Sequence, residues 1–223
     1  MSNRDLSETA FMGKITAGVT HEMKNVLAII RESAGLMEDL LGLAKDDPFP
    51  AREKFLKILS KIGDQVTRGV NLSNALNQFA HRPDQPLATA DMNSLIDQLV
   101  FLCQRFALSK RVTLKSVAHD HPLPLRCEVL KVQMTIHKGI DLLLNVVDPG
   151  AILSIRPTAR EDDKLAVEFL SEGNGIDIRN IPDSSKESLW DPLVACAESA
   201  NAKVEAGVAG ACLTIVFTRH DDQ

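Results

Sequence analysis

The sequence predicts an α + α/β protein: an antiparallel two-helix hairpin that closes with a second copy as a dimeric four-helix bundle, followed by an α/β sandwich. Three observations carry this. The opening stretch is long, proline-free and apolar at helical spacing; Pro83 and Pro86 punctuate the chain; helical and alternating segments then take turns. The 223 residues suit one large domain or two small ones, and 44 % of them are apolar, enough for a core. Aromatics are only 4 % and Tyr is absent, so that core is expected to be Leu, Ile, Val, Ala and Met. The expected domains are 1–82 and 87–223, joined by the short, stiff linker Arg82-Pro83-Asp84-Gln85-Pro86.

The first helix is expected from about Ser7 to Ala44. Apolar residues fall at Ile15, Val19, Met23, Val26, Ile30, Ala34, Met37 and Leu41, in steps of four, four and three that draw one narrow stripe. Asp46-Asp47-Pro48-Phe49-Pro50 breaks the chain. A second helix is expected from about Ala51 to Ala80, with Phe55, Leu59, Ile62, Val66, Ser73, Leu76 and Ala80 as a near-heptad seam. A short connection makes the two helices antiparallel neighbours. One such hairpin cannot cover its own stripes, whereas two packed symmetrically can, so a homodimer is the physical expectation.

In the second part, helices are expected over Met92–Leu108, Glu128–Val147 and Leu189–Ala200. Val112–Val117 alternates like a strand. Ile152–Arg156 and Ala166–Leu170 read as strands joined through Arg160-Glu161-Asp162-Asp163. Lys203–Ala206 and Cys212–Thr218 close as a hairpin through Gly207-Val208-Ala209-Gly210. A mixed sheet with helices on one face follows.

Several function classes drop out. The net charge is −5 and no Lys/Arg run stands out, which argues against nucleic acid as a partner. Cys103, Cys127, Cys196 and Cys212 show no metal-ligand spacing and sit in apolar surroundings, as buried thiols of a reducing compartment do. His119 and His121 flank Asp120, but Pro122 and Pro124 make a solvated turn the simpler reading, so no metal is expected. Trp190 reads as core or interface. Met1-Ser2-Asn3-Arg4-Asp5 lacks the apolar stretch of a signal peptide, and no apolar run approaches the roughly 20 residues of a membrane span. The expectation is a cytoplasmic protein without export signal, anchor or a sensor domain ahead of the first helix.

The chemistry lies on the first helix. At roughly 100° per residue the apolar stripe spans about 100° of arc, and His21 falls opposite its centre. Asn25 lies one turn further on, about 6 Å along the axis, on the same outer face. Glu22 follows the histidine. A nucleophilic imidazole must face solvent and be neutral at the attacking nitrogen, which a carboxylate at the other nitrogen can arrange. The run Ile15-Thr16-Ala17-Gly18-Val19-Thr20-His21-Glu22-Met23-Lys24-Asn25-Val26-Leu27-Ala28-Ile29-Ile30 resembles the H-box of the histidine kinase dimerisation and phosphotransfer domain. The resemblance implies that His21 is the phosphoacceptor, Glu22 its acid/base partner, and Asn25 the residue that positions water for dephosphorylating a response regulator. Val26 stands where that family usually carries a helix-kinking proline, which implies a straighter helix. Ala28, Glu32 and Leu36 share the outer face with His21, where the resemblance implies that receiver domains dock.

The order of elements after Ala88 resembles the Bergerat-type ATP-binding domain of the same family, with its nucleotide motifs eroded. Where the family carries two asparagines spaced by four for Mg²⁺ and phosphates, this chain has His137 and Asp141. Where the family reads adenine with the Asp of Asp-x-Gly-x-Gly, this chain has Ser171 before Gly173 and Gly175. Only Ile176–Ser188 separates that box from the last helix, too little for the family's glycine-rich phosphate loop. The resemblance therefore implies a degenerate histidine-kinase-type sandwich that binds neither ATP nor Mg²⁺. The expected function is a phosphorelay step, with His21 exchanging phosphate with receiver aspartates. Two rivals stand beside it: an ATP-dependent kinase with a divergent site, and a non-catalytic regulator that binds a kinase or receiver.

Overall fold

The computed structural model describes residues 3–43, 52–81, 87–161, 164–172, 186–207 and 211–218. The expected Asp46–Pro50 break and the Arg82–Pro86 linker lie outside them. The chain divides into two compact units, one of Gly13–Phe79 and one that combines Met1–Met12 with Ala80–Gln223.

The helical unit is a hairpin of α1 (Asn3–Leu43) and α2 (Arg52–Ala80). A Cβ built on Gly69 of α2 would lie 3.3 Å from Val26 Cγ1 of α1, so the helices meet there. Val26 stands 17 residues before the end of α1 and Gly69 stands 17 residues after the start of α2. Residues equally far from the connection meet only if the helices run antiparallel. Ile15, Val19, Val26 and Ser33 are buried on α1.

On α2, Phe55, Ile58, Ile62, Gln65, Gly69, Leu72, Leu76 and Phe79 are covered in steps of three and four, with Ala75 half-buried beside them. Phe55, Ile62 and Leu76 of the expected seam are thus covered within the single chain. Leu59 and Val66 are 47 % and 50 % exposed, and Ser73 and Ala80 are exposed as well. The helix carries two adjacent apolar rails, and the hairpin closes on one of them. Leu56, Leu59, Val66 and Val70 form the rail left open. On α1 the stripe is likewise wider than its covered part, since Ala34 and Leu41 are exposed.

The sandwich unit holds β1 (Leu87–Asp91), α3 (Met92–Ser109), β2 (Thr113–Ser116), β3 (Pro124–Glu128), α4 (Val129–Val146), β4 (Ile152–Ala159), β5 (Lys164–Glu172), α5 (Asp191–Ser199), β6 (Ala202–Ala206) and β7 (Leu213–Thr218). Five strands form one sheet in the order β2-β4-β5-β7-β6, with β2 parallel to β4 and the other pairs antiparallel. Register places Ile155, Phe169 and Leu213 side by side, and likewise Val167 with Ile215 and Leu165 with Phe217. All seven are buried to within 1 %, so this face holds the core. Helix α4 lies against it: a Cβ on Gly139 would come within 2.8 Å of Phe169 Cζ and 3.2 Å of Leu213 Cδ2. No larger residue fits there without moving the Phe169 ring.

A second, two-stranded sheet pairs β1 with β3 antiparallel, from Leu87 opposite Glu128 to Asp91 opposite Pro124. Neither strand was expected. Both have five residues, and β3 opens with a proline that breaks the usual strand signal. Of the expected turns, residues 162–163 and 208–210 lie outside the described residues, as does the whole of 173–185.

Asp91 ties the small sheet to α3. As N-cap it accepts from the Ser94 N–H at 3.2 Å and the Ser94 hydroxyl at 3.1 Å, and its other oxygen accepts from the Leu123 N–H at 2.8 Å. Burial alone would push its carboxyl up, but the hydrogen bonds from Leu123 and Ser94 outweigh it and hold the carboxyl below its ordinary value. A depressed folded value means that the cap stabilises fully above the unfolded carboxylate value of about 3.9, and that this stabilisation is lost as pH falls through the folded value. Asp91→Ala should therefore cost about 1–2 kcal/mol at neutral pH. Denaturant titrations of both proteins should show the gap closing once the pH drops below about 4.

Candidate functional site

His21 and Asn25 are both exposed on α1, one helical turn apart and on one face. Glu22 is half-buried. Adjacent residues leave a helix about 100° apart, so a carboxylate beside an outward-facing histidine points toward the hairpin seam. There it meets Arg68 of α2, which donates from Nη2 to Glu22 Oε1 in an ion pair. The Glu22 side chain is 14 % exposed and that of Arg68 45 %. Val26, in the next turn, is buried against Gly69. Further along the His21 face, Ala28 is half-buried, Glu32 is exposed and Leu36 is 51 % exposed, outside the seam.

The described residues expected around a vestigial nucleotide site lie on α4 and β5. His137 is only 4 % exposed on α4. Its ring meets the edge of Phe11 at 5.1 Å between centroids and that of Phe106 at 6.2 Å. Phe11 comes from the opening turns of α1, which cluster with the sandwich. Asp141 is half-buried, and its backbone carbonyl accepts from Asn145 Nδ2 at 2.7 Å. Asn145 in turn accepts from Lys110 Nζ at 3.0 Å. Ser171 lies in β5 opposite Leu153. Gly173, Gly175 and most of the expected short lid lie outside the described residues; its last residues, Lys186–Ser188, begin a π-helical turn that ends at Trp190 and leads into α5.

The His119–His121 segment is a pinned turn. Asn93 Nδ2 donates to the carbonyls of His119 and His121 at 3.3 and 3.2 Å, and the His119 N–H donates to Asn93 Oδ1 at 2.8 Å. Among the described residues no group of three or more His, Cys, Asp or Glu could hold a metal. The four cysteines are free thiols. Burial pushes the Cys196 thiol up, with the Glu8 carboxylate adding to the rise against the hydrogen bond from Thr135 and the charge of Lys138. Sequence reasoning missed Arg68. With the seam on Gln65, Gly69 and Leu72, a cation at position 68 flanks the seam, where charges pair across helices.

No family model matches the chain. It is 22 % identical over 187 residues to the signal transduction histidine-protein kinase AtoS of Escherichia coli strain K12, across 82 % of this chain and 28 % of AtoS. Over that stretch the chain resembles a two-component histidine kinase core. It spans little more than a quarter of AtoS. Solved structures similar to this core include the histidine kinase AdeS of Acinetobacter baumannii, 14 % identical over 90 % of this chain and 98 % of that one, with a TM-score of 0.48. The histidine kinase ThkA in complex with the response regulator protein TrrA is 17 % identical over 94 % of this chain and 61 % of that one, at 0.41. A bacterial phosphotransferase is 10 % identical over 97 % of each chain, at 0.46. Among the described residues of the core no helix is long and apolar enough to cross a membrane.

Proposed function

We propose that this chain is a dimeric, cytoplasmic histidine phosphotransferase that relays phosphate between receiver domains through His21. The observation that carries the proposal is the exposed His21–Asn25 face of α1, set in its H-box-like run. In the first step an imidazole nitrogen of His21 attacks the phosphorus of an aspartyl phosphate in line. The N–P bond forms as the P–O bond breaks, and the aspartate leaves as a carboxylate. The reverse step on another receiver returns the imidazole. Asn25 would orient water where the phosphate is hydrolysed instead, and the resemblance gives Glu22 the acid/base role. Ala28, Glu32 and Leu36 offer the adjoining face to a receiver.

ATP and Mg²⁺ have no part in this reading. His137 is enclosed by Phe11 and Phe106, and Ser171 brings no carboxylate to an adenine. The relationship to AtoS, a histidine-protein kinase, favours the ATP-dependent alternative. The rail of Leu56, Leu59, Val66 and Val70 supports the dimer, because it is the apolar surface that hairpin closure leaves uncovered.

Three measurements test this. His21→Gln should still bind a phosphorylated receiver and should accept no phosphate, since an amide cannot carry it; label passing through that variant would end the assignment. Calorimetry with Mg-ATP should be flat, whereas binding tighter than about 100 µM with ³²P on His21 would establish the kinase alternative. Light scattering should give twice the 24.4 kDa chain mass. Val66→Asp should halve it without unfolding, because Val66 is 50 % exposed in the single chain, on the rail offered to the partner.

A further inference from the structure

We infer that Arg68 is a positioning residue for phosphoryl transfer to His21, acting through Glu22; the inference rests on the phosphotransferase reading above. The incoming phosphoryl group carries close to two negative charges. The Glu22 carboxylate sits one residue from the acceptor, and Cα atoms of neighbours are about 3.8 Å apart. It is 14 % exposed, so water screens it only in part. Left alone it would repel both the donor phosphate and the phosphohistidine. Arg68 pairs with it across the hairpin and cancels its charge.

The pairing also fixes direction. The ion pair keeps the Glu22 carboxylate toward α2 while His21 faces outward. Ala28, Glu32 and Leu36, the residues offered to the receiver, lie on α1 and Arg68 on α2, so the effect sought is on the transfer step, and KM for the receiver separates it from capture.

The test is rapid-quench transfer from a ³²P-labelled receiver to the full chain at saturating receiver. Arg68→Gln should lower the maximal rate about tenfold, shift the end point toward aspartyl phosphate by a similar factor, and leave KM for the receiver unchanged. Added salt should recover part of the loss, because screening replaces the missing cation. Arg68→Lys keeps the charge and should stay within about threefold of wild type. A purely structural role would instead lower thermal stability in both variants and give no recovery with salt. Wild-type transfer with an equally fast Arg68→Gln overturns the role of Arg68 alone, as does an Arg68→Lys variant that folds and loses tenfold. Failure of the wild-type chain to accept phosphate removes the phosphotransferase reading and this inference with it.

Discussion

The close approach of α1 and α2 at Val26 and Gly69 sets the rest of the helical unit. An α-helix has one rotational degree of freedom about its axis, and a single tight contact fixes it. With Val26 against Gly69, Ile15 and Val19 turn inward, and His21 and Asn25 have no direction left but outward. Glu22 falls at the boundary between the two, within reach of a cation on the other helix. The same rotation decides which leucines find no partner within the chain. The exposed His21–Asn25 face and the uncovered apolar rail are thus two results of one packing decision.

The sandwich unit follows a different economy. Its sheet is closed on one side by α4, which lies so near that Gly139 admits no Cβ against Phe169. A helix held that tightly presents its remaining positions in fixed directions. One of them, His137, is surrounded by phenylalanines. Burying these rings together strengthens the core.

Most of this architecture is legible in the sequence, because long amphipathic helices and alternating strands carry strong periodic signals. Helix α1 was expected from Ser7 to Ala44 and runs Asn3–Leu43; the five strands of the main sheet appear where alternation placed them. The outward direction of His21 followed from angle alone. The expected seam of α2 mixed two rails because Leu59 and Val66 are as apolar as Ile58 and Ile62, and hydropathy cannot say which of two equal rails faces α1. Strands β1 and β3 were missed because a five-residue pair beginning with Leu87 and Pro124 depends on its neighbours and not on its own pattern. The surroundings of His137 were out of reach, since Phe11 and His137 lie in distant parts of the sequence. So was the Glu22–Arg68 pair, which needs the correct seam before it can be drawn.

The membership of the opening turns of α1 in the sandwich has a consequence for how the chain is made. Phe11 finds its ring partner at His137, so the first turns of the first helix cannot complete their packing until most of the chain has left the ribosome. The hairpin, by contrast, joins residues close in sequence and can close early. During synthesis the start of α1 would wait as an exposed apolar end on an otherwise finished element. A nascent chain stalled short of α4 would expose Phe11, and a chain released whole would not, so that ring reports whether translation ran far enough to build α4.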